Sequence, residues 1–206
     1  MSYSAEISQN SDVWAVSTDI YTLRHKLLDL LCTEAYQEGD FVLSSGAKST
    51  YYINGKLVTL HPIGALAIGR LLLSMLPADT QAVAGLTLGA DPIVSAVSVV
   101  SAYENKPVCA LIIRKEAKGH GTQAYIEGPI LPTGAKIVVL EDVVTTGQSA
   151  MKAVTRLRNA GYTVDEVISL VDRKQGGAEF YNSQGLKFEA VFNIEDIQKR
   201  YKELHI

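Results

Sequence analysis

With 206 residues, 47% of them hydrophobic and 20% charged, the chain carries enough apolar material for the core of one soluble globular domain. A formal net charge of -3 with no long basic run excludes a surface built to neutralise nucleic-acid phosphates, so no nucleic-acid partner is expected. The most apolar stretch, residues 65–76, is too short for a bilayer and carries Arg70, which leaves no membrane partner either.

Residues 1–18 lack the basic start and apolar centre of a secretory signal, so they read as a polar leader and place the chain in the cytoplasm. Trp14 has two uses open to it: pinning the leader to the body or to a partner subunit, or packing loosely in a frayed tail. Cys32 and Cys109 have no CxxC spacing and no histidine nearby, which suits buried thiols in a reducing compartment.

From Asp19 to Glu38, Leu23, Leu27, Leu30, Leu31 and Ala35 recur at helical spacing, with Thr18 or Asp19 as cap and Gly39 as stop. FVLSSGAKSTYYINGK (41–56) alternates around turn residues near Gly46 and reads as a hairpin. A helical pattern follows from Ile63 to about Met75, closed by Pro77. The rhythm then becomes strand and helix in turn. AVAGLTLG (82–89) is a strand, PIVSAVSVVSAY (92–103) a helix, and PVCALIIR (107–114) and KIVVLED (136–142) are strands. SAMKAVTRLRNAG (149–161) is a helix ended by Gly161, and VDEVISLVDR (164–173) is a further strand. Near-continuous apolar strands alternating with helices predict an open, mostly parallel α/β sheet flanked by helices. The polar segment from Lys115 to Gly128 interrupts that rhythm and reads as a long mobile loop of the kind that serves as a lid.

In open α/β sheets ligands bind beyond the carboxyl ends of the strands, so the turn after KIVVL is the first place to look for chemistry. There Glu141 and Asp142 end a strand, and TTGQS leads into a helix whose unpaired amides and dipole favour an anion. Gly147 lets the backbone approach that anion, and Thr145, Thr146 and Ser149 add hydroxyls. Paired carboxylates would repel a polyphosphate lying across them but accept hydrogen bonds from sugar hydroxyls, so a ribose phosphate suits both halves. The lysine that a Walker-type loop places after its glycine is absent.

VVLEDVVTTGQS (138–149) resembles the phosphoribosyl diphosphate signature of the type I phosphoribosyltransferases: an apolar strand, two acids, two spacers, Thr-[Thr or Ala]-Gly and a small residue. The resemblance implies the fold of that family, with one domain over 1–206 made of the 1–18 leader, a 19–60 helix-and-hairpin hood and a 61–206 core. It implies that Glu141 and Asp142 hold the ribose hydroxyls. Thr145, Thr146, Gly147, Gln148 and Ser149 would then cradle the 5-phosphate, with Val143 and Val144 also in the phosphoribosyl diphosphate site. Magnesium is the implied cofactor, held mainly by the diphosphate of the substrate, with Glu141 and Asp142 the protein groups able to reach it.

Three further segments are similar to the orotate phosphoribosyltransferase family. RKEAKGHG matches its catalytic loop, which implies that Arg114, Lys115, Lys118 and His120 surround the diphosphate, and that Lys118, His120 and Asp142 are the catalytic groups. The hairpin matches its aromatic segment, with Tyr52 and Ile53 at the base-contacting pair, and SLVDR places Arg173 against the orotate carboxylate, with Thr145 nearby. The resemblance implies transfer of the phosphoribosyl group of 5-phosphoribosyl 1-diphosphate to orotate in UMP biosynthesis, by a homodimer whose lids reach the neighbouring active site. The chain departs from many bacterial members at Ser44, where they carry lysine, and at Leu88 and Gly89, where they carry a tyrosine-lysine pair.

Elementary chemistry agrees with that implication. A guanidinium can grip a planar carboxylate with two parallel hydrogen bonds, a need that a neutral purine does not create. Diphosphate departure moves negative charge onto the leaving group, so cations closing over it act mainly in the transition state. Two alternatives stay open: a non-catalytic sensor of phosphoribosyl diphosphate, which would not need Lys118 and His120, and a purine or uracil transferase, against which Arg173 argues. His25, His61 and His205 show no ligand spacing.

Overall fold

A computed structural model of the chain describes residues 13–42, 46, 48–118 and 125–204. Its first element, α1 (Trp14–Ser17), belongs to the segment read as leader, yet it is docked. Ala15 is fully buried, its carbonyl accepts from Arg70 Nη1 at 2.8 Å, and Trp14 packs on the core with the Lys26 ammonium 5.7 Å from its ring. For Trp14, pinning to the body is the use observed.

Helix α2 (Ile20–Leu30) starts where the Asp19 carboxylate accepts from the amides of Tyr21 and Thr22, each at 3.0 Å, satisfying donors that the first turn leaves unpaired. It ends earlier than its spacing predicts. A π-helical turn, Leu31–Ala35, re-aims the chain, and Tyr36 to Glu38 leave the helix for strand β1 (Tyr36–Val42). β1 pairs antiparallel with β2 (Lys48–Ile53), Tyr36 opposite Ile53, so the hairpin begins five residues before Phe41. Gly39 serves the irregularity between Glu38 and Phe41, where its φ of 153° suits an extra residue in one strand, rather than a helix stop.

Next come α3 (Lys56–Thr59) and α4 (Pro62–Met75), the latter with proline in its first turn and the His61 ring accepting from the Gly64 amide. The sheet elements then follow as β3 (Ala82–Leu86), α5 (Asp91–Tyr103), β4 (Cys109–Ile113), β5 (Ile126–Glu127), β6 (Lys136–Val144), α6 (Gln148–Asn159) and β7 (Thr163–Asp172). The segment read as a loop over 115–128 thus includes β5, which pairs antiparallel with β4 at its far end. Three elements beyond Asp172 carry no signal strong enough for the sequence reading: α7 (Gly177–Ser183), β8 (Lys187–Asn193) and α8 (Ile194–Glu203). The last of these opens with a reciprocal cap between Asn193 and Asp196.

The six-stranded sheet runs β5-β4-β3-β6-β7-β8, parallel throughout except for β5, which agrees with the expected open, mostly parallel α/β fold. Every residue of β3 is buried because both sheet faces are covered. On one face, α2, α4, α5 and α8 join Val83, Val138, Leu140, Ile168 and Leu170 in one core cluster. On the other, Ala150, Ala153, Val154 and Leu157 of α6 and Tyr181 of α7 pack on Ala84, Val139 and Val167. From β3 the chain steps outward to β4, then returns past β3 to β6 and continues to β7 and β8. The reversal lies between β3 and β6, so a crevice opens at their carboxyl ends, between the loops that begin at Thr87 and Thr145.

Candidate active site

The loop after β6 is held by a left-handed glycine. Gly147, at φ 82°, is the N-cap of α6, and no side chain among the described residues caps that helix, so its first amides remain available to an anion. Thr145, Thr146, Gly147, Gln148 and Ser149 line a cavity of about 80 Å³ together with Glu141, Val143, Val144 and Tyr181. The expected phosphate cradle is therefore brought together as one concave surface.

The two acids have different surroundings. Glu141 is buried to 7% exposure and lines that cavity, with Oε2 lacking a hydrogen-bond partner among the described residues. Burial first, and then the neighbouring Asp142, push its carboxyl up to about 9, while the Lys115 ammonium opposes both. Asp142 faces the β3–α5 turn and Gly55, and its Oδ1 accepts from the Val143 amide at 2.9 Å. The bare α-carbon of Gly89 sits against it: a β-carbon there would lie 2.6 Å from Oδ1. The Thr87–Leu88 peptide in this turn is cis, and the Leu88 side chain is exposed.

At the lid segment, Arg114 ion-pairs with Glu127 at 3.0 Å, and Lys118 approaches the same carboxylate at 4.0 Å. Lys115 is the lid cation whose charge reaches Glu141. Arg156 of α6 fastens the base of the segment by donating to the carbonyls of Arg114 and Lys115 while its guanidinium stacks 4.1 Å over the Tyr125 ring. His120 lies outside the described residues, as do Ser44 and His205.

The third wall comes from β2 and the end of β7. The Arg173 amide donates to Val144 O at 2.9 Å, which sets its side chain beside the Thr145 loop. Arg173 Nε donates to Tyr51 Oη at 3.1 Å, and the guanidinium lies 4.8 Å from the centre of the Tyr51 ring. Arg173 Nη2 is buried and has no partner among the described residues. Tyr51 stacks in turn on Tyr36 at 5.9 Å. Tyr52, on the alternate side of the strand, is 43% exposed and packs 5.6 Å from Phe41, while Ile53 is half-buried against the core. The geometry thus joins Tyr51 rather than Tyr52 to Arg173. Sequence reasoning missed Tyr51, because two adjacent tyrosines in a strand point to opposite faces and alternation alone does not say which face Arg173 approaches.

Among the described residues no group of three or more His, Cys, Asp or Glu side chains is placed to hold a metal ion. Two adjacent carboxylates at the mouth of a phosphate cradle still fit a magnesium that draws most of its oxygen ligands from a bound diphosphate.

No protein-family model matches the chain. An orotate phosphoribosyltransferase of a Nostoc species is 78% identical over 204 residues, covering 99% of each chain. An orotate phosphoribosyltransferase of a Synechocystis species is 75% identical over 181 residues, covering 88% of this chain and 91% of its own. Among solved structures, the Mycobacterium tuberculosis H37Rv orotate phosphoribosyltransferase in complex with 5-phospho-alpha-D-ribosyl 1-diphosphate superposes with a TM-score of 0.70. It is 33% identical, and the match covers 85% of this chain and 99% of the other.

Proposed function

The chain belongs to the orotate phosphoribosyltransferase family and transfers the phosphoribosyl group of 5-phosphoribosyl 1-diphosphate to orotate, and on that premise we propose which of its residues carry the reaction. The observation that carries the reading is the meeting of three groups at the carboxyl ends of β6 and β7: the Thr145–Ser149 cradle, the Glu141 and Asp142 carboxyls, and Arg173, whose Nη2 has no partner among the described residues.

The amides at the start of α6 and the hydroxyls of Thr145, Thr146 and Ser149 hold the 5-phosphate, with Val143 and Val144 setting the loop and Gln148 closing its rim. Asp142 and Glu141 accept from the ribose hydroxyls. Burial disfavours charge on Glu141, so it stays neutral until a cation approaches. Arg173 takes the orotate carboxylate, with Tyr51 fixing the guanidinium from behind and Thr145, Tyr52 and Ile53 nearby in the strand and loop that flank it. As the bond from the sugar to diphosphate breaks, an orotate ring nitrogen bonds to the sugar carbon, diphosphate leaves with the bonding pair, and the proton given up by that nitrogen passes to the departing diphosphate or to solvent. Arg114, Lys115 and Lys118 stabilise the charge gathering on that leaving group; His120 joins them on the strength of the resemblance alone. Magnesium, when bound with the diphosphate, supplies neutralising charge there, and Glu141 and Asp142 are the residues that would help hold it.

The finer context belongs to the same reading. The product, orotidine 5-phosphate, places the enzyme in UMP biosynthesis. Residues 1–206 act as one domain, the hood over 19–60 being tied to the rest by the core it shares and by the ion pair of Arg200 with Asp29 at 2.6 Å. A homodimer is supported by an exposed apolar face on α3, α4 and α5. There Leu57, Leu60, Val99 and Tyr103 stand open beside a groove of about 410 Å³. The free thiols of Cys32 and Cys109 suit a reducing compartment such as the cytoplasm. No described helix is long and apolar enough to cross a membrane. The reading is tested by following orotate absorbance with 5-phosphoribosyl 1-diphosphate present, with magnesium and after chelation. Orotate loss that stops on chelation and returns with added magnesium is the expected result; turnover of uracil or adenine in place of orotate would overturn the role given to Arg173.

A further inference from the structure

Tyr181 is a side chain that the fold does not explain. It stands in the middle of α7, fully buried, with its ring 5.0 Å from Phe188 and 5.9 Å from Phe180, in the core cluster that holds Val139, Val144 and Ala150. Phenylalanine would fill that space. Its hydroxyl nevertheless has no hydrogen-bond partner among the described residues. A buried hydroxyl left without a partner loses its water hydrogen bonds and gains nothing in return, so it destabilises the unliganded fold.

The direction of the ring gives the hydroxyl a use. A β-carbon on Gly147 would stand 2.9 Å from Tyr181 Cζ and 3.0 Å from Cε1, so the phenolic end of the ring lies directly beneath the turn of the phosphate loop. Tyr181 lines the same cavity as Thr145, Thr146 and Ser149. Burial raises its phenol well above the usual range, and the carboxyls of Glu141 and Asp172 raise it further, so at neutral pH the group is an O–H donor facing a cavity with acidic neighbours.

We propose that Tyr181 is a substrate-binding residue, whose hydroxyl donates from the floor of the cavity to an oxygen of the 5-phosphate. This rests on the reading of the Thr145–Ser149 loop as the phosphate cradle. It adds to that loop a donor from a different element, packed under Gly147, where it can discriminate a sugar carrying a 5-phosphate from one without. The loop amides alone bind any anion that reaches the helix end; a phosphate that fills the cavity to its floor gains the buried phenol as a further donor.

Tyr181→Phe in the full chain tests this, because it removes one oxygen and keeps the ring. Calorimetric titration with ribose 5-phosphate is expected to show about tenfold or weaker binding, the scale for losing a hydrogen bond to a charged group. Titration with inorganic diphosphate is expected to be unchanged, and the melting temperature of the unliganded protein unchanged or higher. Equal ribose 5-phosphate affinity in Tyr181→Phe and wild type would overturn the proposal, as would a lowered melting temperature with unaltered affinity. Thr146→Ala separates this failure from failure of the cradle itself. Loss of ribose 5-phosphate affinity in Thr146→Ala with none in Tyr181→Phe removes the tyrosine and leaves the cradle, whereas no binding by wild type removes both.

Discussion

Gly89 presses its unsubstituted α-carbon onto the carboxyl of Asp142, so close that a β-carbon would stand 2.6 Å from Oδ1 and 2.7 Å from Oδ2. A side chain at position 89, such as the lysine that resembling enzymes carry at this turn, would meet that carboxyl and require it to turn. The prediction is that Gly89→Ala turns the Asp142 carboxyl away from the sugar. Affinity for 5-phosphoribosyl 1-diphosphate, measured by titration, should fall by about tenfold, the scale of one charged hydrogen bond. The melting temperature should hold within the few degrees that correspond to about 1 kcal/mol. Unchanged affinity would show that the position of this carboxyl is not set by Gly89.

Arg173 depends on Tyr51. The Tyr51 hydroxyl accepts from Arg173 Nε at 3.1 Å, leaving the buried Nη2 for the contact proposed with the orotate carboxylate. Arg173→Lys keeps the charge but loses the fork, so KM for orotate should rise by about 100-fold, the scale of two charged hydrogen bonds. Tyr51→Phe should raise it by only about 5-fold, since the ring still supports the guanidinium through its face. Steady-state kinetics with orotate varied would check both, and an equal effect of the two substitutions would contradict the supporting role given to Tyr51.

Lys118 approaches Glu127 at 4.0 Å on an exposed surface, a pairing worth too little to hold it there once a diphosphate offers more charge. Lys118→Ala should lower kcat by roughly 100-fold or more, as expected for removal of one placed electrostatic stabiliser, with little change in stability. A kcat within about twofold of wild type, measured at saturating substrates, would remove the lid lysine from the mechanism.

The apolar face at α5 yields a prediction about assembly. Val99 and Tyr103 are 60% and 85% exposed, an arrangement suited to burial against a second copy of the chain. Val99→Asp should shift the molar mass measured by light scattering from dimer toward monomer, with the far-ultraviolet circular dichroism retained. A wild-type protein that elutes as a monomer at micromolar concentration would contradict the assembly.

Much of the fold is legible in the chain because the buried parallel strands are nearly pure apolar runs: Ala82–Leu86 and Lys136–Val144 stand out between turn residues. The proposed phosphate loop is legible because Glu141, Asp142, Thr145, Thr146 and Gly147 lie within one short stretch of chain. Elsewhere local pattern and tertiary context diverge. Tyr36 continues the helical stretch that holds Leu31 and Ala35, but pairing with Ile53 claims it for a strand. β8 mixes Lys187 and Glu189 with Phe188 and Val191 at the edge of the sheet, and so gives neither a clean alternation nor an apolar run. The contacts of Tyr51 with Arg173 and of Tyr181 with the Gly147 loop join elements far apart in sequence, and local spacing carries no trace of them.

Titration of 5-phosphoribosyl 1-diphosphate with magnesium into wild type and Asp142→Asn tests the central claim, that the acids beside the 145–149 loop hold the ribose of the substrate. The amide introduced by Asp142→Asn is nearly isosteric with the carboxylate but offers one acceptor oxygen in place of a pair and carries no charge. The dissociation constant should therefore rise by about tenfold or more. Equal affinity in the two proteins would contradict the assignment of this site.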